Sequence, residues 1–562
     1  MKTVRSMVLI SHDPDSLLHG ATEILERMQS EVESFGLADE VTVTTVTDIG
    51  RHDAIPMVIV YPEAVIYGPV KPEQVHRIVE EHLYKGRVVE ELLAPIRELS
   101  GQIAWLRTRK GSLPAEKRIV LERAGLIDPE NIDDYIIHDG YQALAKVITE
   151  LTPKQVISII EASGLQGRGG AGFSVGRKWT FVATAPGEPK YVICNADESE
   201  PGTFKDRVVL EGDPHSIIEA MTIAGYAVGA NEGYIYIRGE YKLAYQRLEI
   251  AIKQARQYGL LGQNLLEKGF NFDIHIHAGA GAYICGEETA LIESIEGKRG
   301  EPRARPPYPP TNGLWGKPTL VNNVETLANI PPIIRNGAEW YRHFGTPKST
   351  GTKVYTILGN VNQTGVIEVP MGITLREVIT IYGKGMKTTG QNQTATFKLA
   401  QTGGSSGSII PASLQDTPMD FESFRKAGVS LGSGALLVCD ENTCVVDLAI
   451  VLMEFFRFES CGKCTPCRVG TQRIYDILTR ISQGEGKLSD LDEMIYLGEN
   501  MEMLSNCGLG QTASGPVRDI LRHFRAEVEA HIRLGLCPVG VCSMTPVMSE
   551  KQMAPESLAV TA

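Results

Sequence analysis

The chain has 562 residues and a mass of 61.4 kDa, which is long enough for about three to four domains. Apolar residues make up 43% of it and charged residues 22%, a composition that excludes a disordered or collagen-like chain. The net charge of −13, from 55 basic and 68 acidic residues, argues against a general nucleic-acid-binding protein.

No apolar run reaches the roughly 18 to 20 residues that a membrane-spanning helix needs. The apolar stretch near the N-terminus is short, and acidic residues follow it at once, which does not fit a signal peptide. We therefore expect a cytoplasmic protein without a transmembrane segment.

Residues 1–90 have the pattern of a small α/β unit. The predicted strands are Ser6–Ile10, Val41–Thr47, Met57–Val60 and Val65–Tyr67, and the predicted helices are Leu17–Phe35 and Gln74–Lys85. This order of elements suits a thioredoxin-like fold.

Further regions follow in the sequence. A polar connector with short helices is predicted for 91–150, an α/β nucleotide-binding domain for 151–330, a small mixed β unit for 331–435, a helical bundle for 436–545 and a disordered tail for 546–562. The β unit is predicted from the strands Lys353–Leu358 and Val366–Val369 and from a stretch rich in Gly, Ser and Thr.

The first glycine loop, GRGGAGF at 167–173, formally contains G-x-G-x-x-G. A Rossmann fingerprint follows a strand, whereas Pro153–Ser163 is predicted as a helix. Glycines still allow the backbone to approach a phosphate or a flat ring, and Arg168 and Lys178 supply positive charge. A flexible surface loop is the alternative.

An acidic loop comes directly after the predicted strand Tyr191–Cys194. Its residues Asn195, Asp197, Glu198 and Glu200 would lie beyond the carboxyl end of that strand, where α/β sheets bind ligands. Carboxylates at this edge bind ribose hydroxyls or ring N–H groups rather than phosphates. The alternative is a solvated acidic loop.

A second glycine loop joins the predicted strand Phe272–Ala278 to a helix. Glu287 and Glu288 at the start of that helix suit its dipole but would repel a phosphate. We therefore expect this loop to lie against a ring or a ribose.

The ten cysteines all lie at or beyond position 194. Cys461, Cys464 and Cys467 form C-x-x-C-x-x-C, and Cys507 lies further along the chain. Structural zinc sites usually come as two separated pairs, so this spacing favours a [4Fe–4S] cluster over zinc or a redox C-x-x-C pair.

A second set of metal-binding side chains consists of Cys444, His531, Cys537 and Cys542. Their number suits a tetrahedral structural zinc site, and ordinary thiols in a packed bundle are the alternative. Cys194, Cys285 and Cys439 have apolar neighbours and are predicted to be buried core thiols.

Four motifs together resemble those of the NADH-oxidising, FMN-carrying subunits of respiratory complex I. They are GRGGAGF…GRKW at 167–179, NADESEPGTFKDR at 195–207, GAGAYICGEETAL at 279–291 and ESCGKCTPCRVGT at 459–471. They are also similar to subunits of NAD-linked hydrogenases, including electron-bifurcating ones, and of formate dehydrogenases. The first 90 residues resemble the thioredoxin-like module of hydrogenase-type members.

The resemblance implies an α/β multidomain chain with a thioredoxin-like module, a Rossmann-like FMN and NADH domain, a ubiquitin-like β-grasp (SLBB) domain and a helical [4Fe–4S] domain. It implies that FMN is held by Gly167, Arg168, Gly169, Lys178, Asn195, Asp197, Glu198, Tyr283, Gly286, Glu287, Asn322, Asn323 and Thr326. NADH would stack over the flavin through Gly170, Phe173, Phe181, Glu200, Glu288 and Tyr308. The cluster would be held by Cys461, Cys464, Cys467 and Cys507, and bifurcating relatives imply zinc at Cys444, His531, Cys537 and Cys542.

Two departures from the family pattern matter. The positions expected to carry four [2Fe–2S] cysteines in the thioredoxin-like module hold Ser11, Ser16, Asp48 and His52, so we expect that cluster to be absent. The sequence also ends about 20 residues after Cys542, so we expect no two-cluster ferredoxin domain of the kind that some relatives carry there. Electrons would therefore pass to a partner.

The chemistry implied is hydride transfer from NADH to FMN, followed by one-electron transfer to the [4Fe–4S] cluster and onward. Lys178 would stabilise negative charge on the reduced flavin, Glu200 and Glu288 would fix the NADH ribose, and Glu288 would select NADH over NADPH. Expected partners are a thioredoxin-like [2Fe–2S] subunit, a further iron–sulfur subunit and a catalytic subunit. A non-catalytic electron relay and an electron-bifurcating subunit remain alternatives.

Overall fold

The computed structural model describes residues 5–12, 14–46, 54–61, 63, 65–94, 117–388 and 394–544. None of the helices in these ranges is both long and apolar enough to cross a membrane. The predicted tail 546–562, part of the predicted connector, and the positions Asp48 and His52 lie outside the described residues.

The N-terminal module, residues 5–94, is built on one four-stranded sheet. Its elements are β1 (Ser6–Ser11), α1 (Pro14–Leu18), α2 (Ala21–Ser34), β2 (Val41–Val46), β3 (Val58–Tyr61), β4 (Val65–Tyr67) and α3 (Val75–Arg77), which continues as a wider helical turn over Ile78–Tyr84. The strand order is β2-β1-β3-β4, with β1 parallel to β2 and antiparallel to β3. The predicted strands are confirmed to within about two residues.

The single helix predicted for Leu17–Phe35 is wrong. The structure contains two helices, because Gly20 adopts φ 91° and ψ 20° between them. This left-handed conformation is open to glycine and breaks the run of helical hydrogen bonds.

Ser11 and Ser16 are hydrogen-bonded to each other within the module core. The Ser16 hydroxyl donates to Ser11 Oγ at 2.8 Å, and Ser11 Oγ also accepts from the backbone N–H of Met57 at 2.8 Å. Both serines are buried. The polar atoms at these two positions are thus paired within the protein.

Residues 117–342 surround a five-stranded sheet and include the region predicted to bind FMN, so this part of the chain is called here the flavin domain. Its elements are α4 (Ile132–Ile137), α5 (Gln142–Glu150), α6 (Pro153–Ser163), α7 (Val175–Thr184), β5 (Tyr191–Ala196), α8 (Lys205–Gly212), α9 (Pro214–Val228), β6 (Glu232–Arg238), α10 (Lys242–Gln257), β7 (Gly262–Leu265), β8 (Phe270–Gly279), α11 (Glu288–Ile295), α12 (Pro309–Asn312), β9 (Thr319–Asn323), α13 (Val324–Ala328), α14 (Ile330–Asn336) and α15 (Ala338–Arg342). The order is β7-β8-β6-β5-β9, and the last four strands are parallel.

The predicted connector and the predicted start of the β unit both contribute to this core. Ile119, Leu144 and Val147 are buried in the same apolar cluster as Ile333 and Tyr341. Residues from 117 onward therefore pack as part of the flavin domain, as do α14 and α15, which lie beyond the boundary expected at residue 330. The polar composition of 91–150 did not reveal this packing, because its buried apolar residues are spread among polar ones.

Residues 345–440 contain the second of the two five-stranded sheets, called here the second sheet. The elements of this segment are β10 (Gly345–Thr346), β11 (Ser349–Thr350), β12 (Thr352–Gly359), β13 (Gly365–Pro370), α16 (Leu375–Glu377), β14 (Phe397–Thr402), β15 (Ile409–Pro411), α17 (Phe421–Lys426) and β16 (Ala435–Asp440). Among the described strands, β10 and β11 pair only with each other. The order is β13-β12-β16-β14-β15, with the central pair β12 and β16 parallel. Strand β16 extends the sheet to Asp440, past the boundary expected at 435.

The helical domain contains six helices among its described residues. They are α18 (Val445–Glu459), α19 (Thr465–Ser482), α20 (Leu488–Leu504), α21 (Gly508–Thr512), α22 (Gly515–His523) and α23 (Arg525–Leu534). Its core is continuous with one face of the flavin-domain sheet, because Tyr191, Ile193 and Tyr236 belong to the same apolar cluster as Phe456 and Cys467. The flavin domain and the cysteine motif are therefore held together by packed apolar side chains.

The buried carboxylate of Glu368 joins β13 to the start of the flavin domain. It accepts backbone hydrogen bonds from Ile119, Val120 and Leu121 at 2.9 to 3.0 Å, and the hydroxyl of Thr352 also donates to it. A buried carboxylate requires such donors, because an unpaired one is costly.

We predict that Glu368→Gln lowers the free energy of unfolding by about 2 kcal/mol, because one carboxylate oxygen becomes an amide donor that faces N–H donors. Thermal and urea denaturation measure the change. Glu422→Gln is the matched control, since Glu422 pairs with Lys348 and Lys426 on the surface and its loss costs less than about 1 kcal/mol. Equal stability of the two variants would contradict the prediction.

Candidate functional site

The parallel strands of the flavin domain bring the predicted motifs to one edge of the sheet. Strand β5 ends at Ala196 and β9 at Asn323, in parallel register with Asn195 opposite Asn323. Strand β8 ends at Gly279, opposite Arg238 of β6. The acidic loop, the second glycine loop and the start of α13 therefore leave the same edge, where α/β sheets bind ligands.

The first glycine loop closes on itself and lies beside α13. Gln166 pairs with Ser174, and the N–H of Gly167 donates to the carbonyl of Phe173 at 2.8 Å. The N–H of Arg168 donates to Thr326 Oγ1 at 2.8 Å. A Cβ on Gly169 would lie 3.1 Å from Cβ of Asn323, so glycine permits this close approach.

The guanidinium of Arg168 does not face the glycine loop. It is fully buried and donates to the carbonyls of Thr350, Thr352 and Gln166 and to the hydroxyl of Tyr341. The expectation that the charge of Arg168 neutralises a phosphate is therefore corrected: this side chain joins the loop to the second sheet, and only its backbone remains at the loop.

Asp197 carries an unpaired buried acceptor. Its Oδ2 accepts from the hydroxyl of Ser199, while Oδ1 is buried and has no hydrogen-bond partner among the described residues. Burial raises the pKa of Asp197 to about 7, although Ser199 and Arg238 oppose the shift. A ligand with an N–H or O–H donor would satisfy this oxygen.

Glu198 faces the opposite way. Its carboxylate accepts from the backbone N–H groups of Asp206 and Arg207 at 2.7 and 2.8 Å and from the hydroxyl of Tyr241 at 3.1 Å. Burial and the neighbouring Asp206 raise the pKa of Glu198 to about 8. The side chain is thus engaged within the protein and anchors the acidic loop to the start of α8.

Glu200 joins the acidic loop to both neighbouring segments. The hydroxyl of Tyr283 donates to it at 2.7 Å, and the backbone N–H of Ser406 donates to it at 2.8 Å. Burial raises the pKa of Glu200 despite these bonds. Its side chain therefore connects the second glycine loop to the second sheet.

The second glycine loop leads into α11 through a short 3-10 turn, Tyr283–Gly286. Glu287 caps α11 by accepting from the N–H groups of Thr289 and Ala290, and its Oε1 is buried without a hydrogen-bond partner in the described part of the chain. The carbonyl of Gly286 accepts from Asn195 at 2.8 Å. A Cβ on Gly286 would lie 3.3 Å from Asp197 Oδ2, so this glycine lies directly against the acidic loop.

Lys178 and Glu288 form a half-buried ion pair of 2.8 Å, and Lys178 also donates to the carbonyl of Val321 at 2.9 Å.

Three exposed aromatic rings belong to neighbouring segments: Phe173 is 48% exposed, Phe181 45% and Tyr308 54%. The centroids of Phe173 and Phe181 are 6.4 Å apart. Exposed rings of this kind can stack on a nucleotide base.

Asn322, Asn323 and Thr326 act inside the protein through their side chains. Asn322 accepts from the indole N–H of Trp179 at 3.0 Å, and Asn323 donates to Asp206 at 2.6 Å. Asp206 is a residue that sequence reasoning missed, although it lies within the motif at 195–207. It holds Asn323 beside the first glycine loop.

Glu459 is a second residue that sequence reasoning missed. It is the last residue of α18, and its Oε2 accepts from the backbone N–H of Tyr283 at 2.9 Å. Its position two residues before Cys461, inside the motif at 459–471, is the feature of the sequence that could have identified it. The bond joins the second glycine loop directly to the segment that enters the cysteine motif.

The four predicted cluster cysteines converge around the starts of α19 and α21. A Cβ on Gly510 would lie 2.9 Å from Cβ of Cys467, so the helix that follows Cys507 approaches α19 closely. Burial and the thiols of Cys464, Cys507 and Cys461 raise the pKa of Cys467 to about 11. Four thiols gathered in this way fit a [4Fe–4S] cluster, and loading must displace their protons.

The second set, Cys444, His531, Cys537 and Cys542, forms a compact group. Its four ligand atoms lie within 4.8 Å of one another. Nε2 of His531 is 3.4 Å from Sγ of Cys444, while Nδ1 contacts the carbonyl of Glu527 at 2.8 Å. This second contact orients the ring so that Nε2 faces the thiols, as metal-binding histidines require.

Cys194, Cys285 and Cys439 are buried, as predicted.

The site fits a flavin. Asp197 Oδ1 and Glu287 Oε1 accept no hydrogen bond from the described residues, although Arg305 lies 3.6 Å from the latter, and both are complementary to a ring N–H or a sugar-like hydroxyl. The glycines leave room for a flat ring. A flavin site packed against a four-thiolate cluster site defines a class of oxidoreductase that passes electrons from a nucleotide to iron–sulfur centres.

Comparisons with known proteins agree with this class. Residues 160–332 match the Nuo51 FMN-binding domain, and residues 447–531 match the NADH-ubiquinone oxidoreductase-F iron-sulfur binding region. The HndC subunit of the NADP-reducing hydrogenase of Solidesulfovibrio fructosivorans is 51% identical over 426 residues, covering 76% of this chain and 86% of that subunit. An NADH-quinone oxidoreductase subunit of Aquifex aeolicus is 47% identical, covering 74% and 94% of the two chains.

A solved NAD⁺-reducing [NiFe]-hydrogenase in the H₂-reduced state matches with a TM-score of 0.63 and 30% identity, over 94% of this chain and 84% of the hydrogenase chain. The chain belongs to the family of NADH-oxidising subunits that carry FMN and a [4Fe–4S] cluster in complex I and in NAD(P)-linked hydrogenases.

We predict that FMN binding tightens as the pH rises through about 7, because the ionised Asp197 is the better acceptor for a flavin N–H. The carboxylate is mostly protonated at about pH 6 and mostly ionised at about pH 8, so the gain approaches tenfold. Titration of the flavin-depleted chain with FMN, followed by fluorescence, measures it.

Asp197→Asn is the control for that titration. The phosphate of FMN and the carboxyl group of Glu198, whose pKa burial raises to about 8, also ionise in this range, and the variant retains both contributions. Identical pH profiles for the variant and the wild type would remove Asp197 from the explanation.

Proposed function

We propose that this chain takes electrons from NADH at a bound FMN and delivers them through its [4Fe–4S] cluster to partner iron–sulfur subunits. The observation that carries this proposal is the hydrogen bond between Glu459 and the backbone of Tyr283. It fixes the second glycine loop to the segment that leads into Cys461, so the two cofactor sites are adjacent. FMN, when bound, accepts a hydride and releases electrons one at a time.

The residues that would hold FMN fall into three groups. The first glycine loop and the helix after it supply Gly167, the backbone of Arg168, Gly169 and Lys178. The acidic and second glycine loops supply Asn195, Asp197, Glu198, Tyr283, Gly286 and Glu287, and the end of β9 and the start of α13 supply Asn322, Asn323 and Thr326. Among these, Glu198 and Asn323 act by fixing the loops, because their side chains are engaged within the protein.

NADH would lie over the flavin along the exposed face of the first glycine loop. Gly170 leaves space, and Phe173, Phe181 and Tyr308 offer exposed rings for stacking. Glu200 and Glu288 would accept from ribose hydroxyls. The carboxylate of Glu288 also disfavours a 2′-phosphate, so we assign NADH rather than NADPH, although the similar HndC protein belongs to an NADP-reducing hydrogenase.

The domain topologies support the finer fold assignments. The N-terminal sheet has the strand order β2-β1-β3-β4 with β1 and β2 parallel, which supports a thioredoxin-like unit. The second sheet has the strand order β13-β12-β16-β14-β15 with β12 and β16 parallel, which supports a ubiquitin-like β-grasp unit. The parallel strands β8, β6, β5 and β9 support a Rossmann-like FMN and NADH domain.

The partners we propose are a thioredoxin-like [2Fe–2S] subunit, a further iron–sulfur subunit and a catalytic subunit, all in the cytoplasm. The likeness to a hydrogenase chain over 94% of this chain favours a hydrogenase-type catalytic subunit. Product analysis with the complete complex separates simple NADH oxidation from electron bifurcation, since only bifurcation also reduces a low-potential acceptor.

We expect the flavin-loaded chain to show a visible flavin band that NADH bleaches. Phe181→Ala removes a stacking ring and should raise the KM for NADH about five- to tenfold, consistent with the loss of one aromatic contact, while FMN remains bound. Steady-state rates with NADH and NADPH measure this. Tyr258→Ala is the matched control, because Tyr258 is also exposed but its hydroxyl donates to Asp133, which belongs to none of the predicted nucleotide-binding motifs. This variant should leave the KM for NADH unchanged.

A chain that holds FMN but is not bleached by NADH would instead support a non-catalytic electron relay. A chain that holds neither FMN nor iron after anaerobic reconstitution would contradict the proposal as a whole.

We also propose that Cys444, His531, Cys537 and Cys542 bind a structural Zn²⁺. The short distances among their ligand atoms and the contact of His531 Nδ1 with Glu527 support a closed tetrahedral site. Backbone N–H groups of Cys542, Val539 and Val541 lower the pKa of Cys537 against the effect of burial, which favours a thiolate there.

We predict that Cys444→Ser lowers zinc from about one ion per chain to a small fraction and lowers the thermal stability of the helical domain. Elemental analysis of zinc and iron in the same sample measures it. Cys439→Ser is the matched control, because Cys439 is a buried thiol outside both groups. Loss of iron with zinc retained would mean that the two sets of ligands had been assigned the wrong way round.

A further inference from the structure

A face of the N-terminal module lies against the flavin domain next to the acidic loop. Glu40, just before β2, pairs with Arg207 of α8, and its neighbour Asp39 pairs with Lys242 of α10 at 3.1 Å. The two ion pairs differ in burial: Asp39 and Lys242 have side chains about 60% exposed, whereas those of Glu40 and Arg207 are 8% and 11% exposed.

Glu40 is shared between two arginines. Its Oε2 accepts from Nε of Arg5 at 3.0 Å, and Nη2 of Arg207 lies 3.0 Å from the same oxygen. Arg207 also donates from Nε to Glu211 at 2.7 Å. In this buried setting, removing Glu40 leaves Arg5 without this carboxylate and Arg207 with one carboxylate instead of two.

Arg207 connects this ion pair to the acidic loop in two ways. Its backbone N–H donates to the carboxylate of Glu198 at 2.8 Å. Its guanidinium lies over the ring of Tyr241, 5.0 Å from the centroid, and the hydroxyl of Tyr241 donates to Glu198 at 3.1 Å. Glu198 is adjacent to Asp197, whose unpaired oxygen faces no donor within the described protein.

We propose that Glu40 is a positioning residue for the flavin site, acting through Arg207 on Glu198 and thereby on the loop that carries Asp197. This inference rests on the proposed function of that loop in holding FMN. It gives the N-terminal module a role that needs no cluster of its own: the module fixes the first turn of α8, to which the acidic loop is anchored.

Other contacts keep the module in place when Glu40 is changed. Lys85 and Arg87 face Asp128 at 3.6 and 3.7 Å, and the guanidinium of Arg247 lies 5.3 Å from the centroid of Tyr84. A substitution at Glu40 should therefore leave the module docked.

The test measures how fast FMN leaves the full-length, flavin-loaded chain after dilution, from the rise in free flavin fluorescence, together with the flavin midpoint potential. We expect Glu40→Gln to release FMN about three- to tenfold faster, as for the loss of one charged hydrogen bond, and to shift the potential. Glu40→Asp, which keeps the charge, should restore part of the difference.

Asp39→Asn is the matched control in the same face of the module, and we expect it to release FMN at the wild-type rate. Release from Glu40→Gln at the wild-type rate overturns the proposal. Equal acceleration in both variants also overturns it, because it would mean general loosening of the module. Circular dichroism and thermal unfolding establish that the variants are folded, and Glu40→Asp provides the test if Glu40→Gln does not fold.

A double-mutant cycle with Arg207→Ala tests the route. If Glu40 acts through Arg207, then Glu40→Gln has no further effect on FMN release in the Arg207→Ala background, and an effect that persists overturns the route. Bleaching of the wild-type flavin by NADH is recorded in the same samples. Its absence would refute the proposed function, whereas its presence with unaltered release from Glu40→Gln would refute this inference alone.

Discussion

A fully buried ion cluster holds the flavin domain against the second sheet. Lys205 lies 2.6 Å from Asp206 and 2.9 Å from Glu325, and Lys353 of β12 lies 2.7 Å from Glu325. Burial alone would raise the pKa of Glu325, but Lys205 and Lys353 outweigh it and hold that pKa below its usual value. Removing one partner from such a cluster costs about 3 to 5 kcal/mol, so the arrangement is fixed as a unit.

The flavin site depends on this cluster because its members also contact the ligand-binding loops. Asp206 accepts from the Asn323 side chain, and Asn323 lies against Gly169 of the first glycine loop. Lys463 of the cysteine motif donates to the carbonyl of Pro302 in the flavin domain at 2.8 Å. The flavin domain thus makes direct polar contacts with both the second sheet and the cysteine motif, which suits a site that must keep two redox centres at a constant separation.

Sequence reasoning succeeded where the signal is local. Strands β5, β8 and β12 and the helix that precedes the first glycine loop all follow from apolar periodicity over a few residues. It did not reveal the distant partners of charged side chains. The guanidinium of Arg168 points to carbonyls more than 180 residues away, and Glu200 is paired with Ser406 across domains. No local pattern distinguishes a charged side chain that faces a ligand from one that joins two domains.

The N-terminal module illustrates how the burial of a charge decides its importance. Asp39 and Glu40 are adjacent and both meet a cation of the flavin domain, yet an exposed pair contributes less than about 1 kcal/mol, because water already solvates both ions. For the buried Glu40, loss of the carboxylate leaves two guanidinium groups short of an acceptor in a poorly hydrated space, and that penalty is several times larger. Ser11 and Ser16 are hydrogen-bonded to each other within the module core, so their hydroxyl groups contribute to the packing of the module itself. The buried contact of Glu40 with Arg207 of α8 connects the module to the acidic loop, because the backbone of Arg207 donates to Glu198.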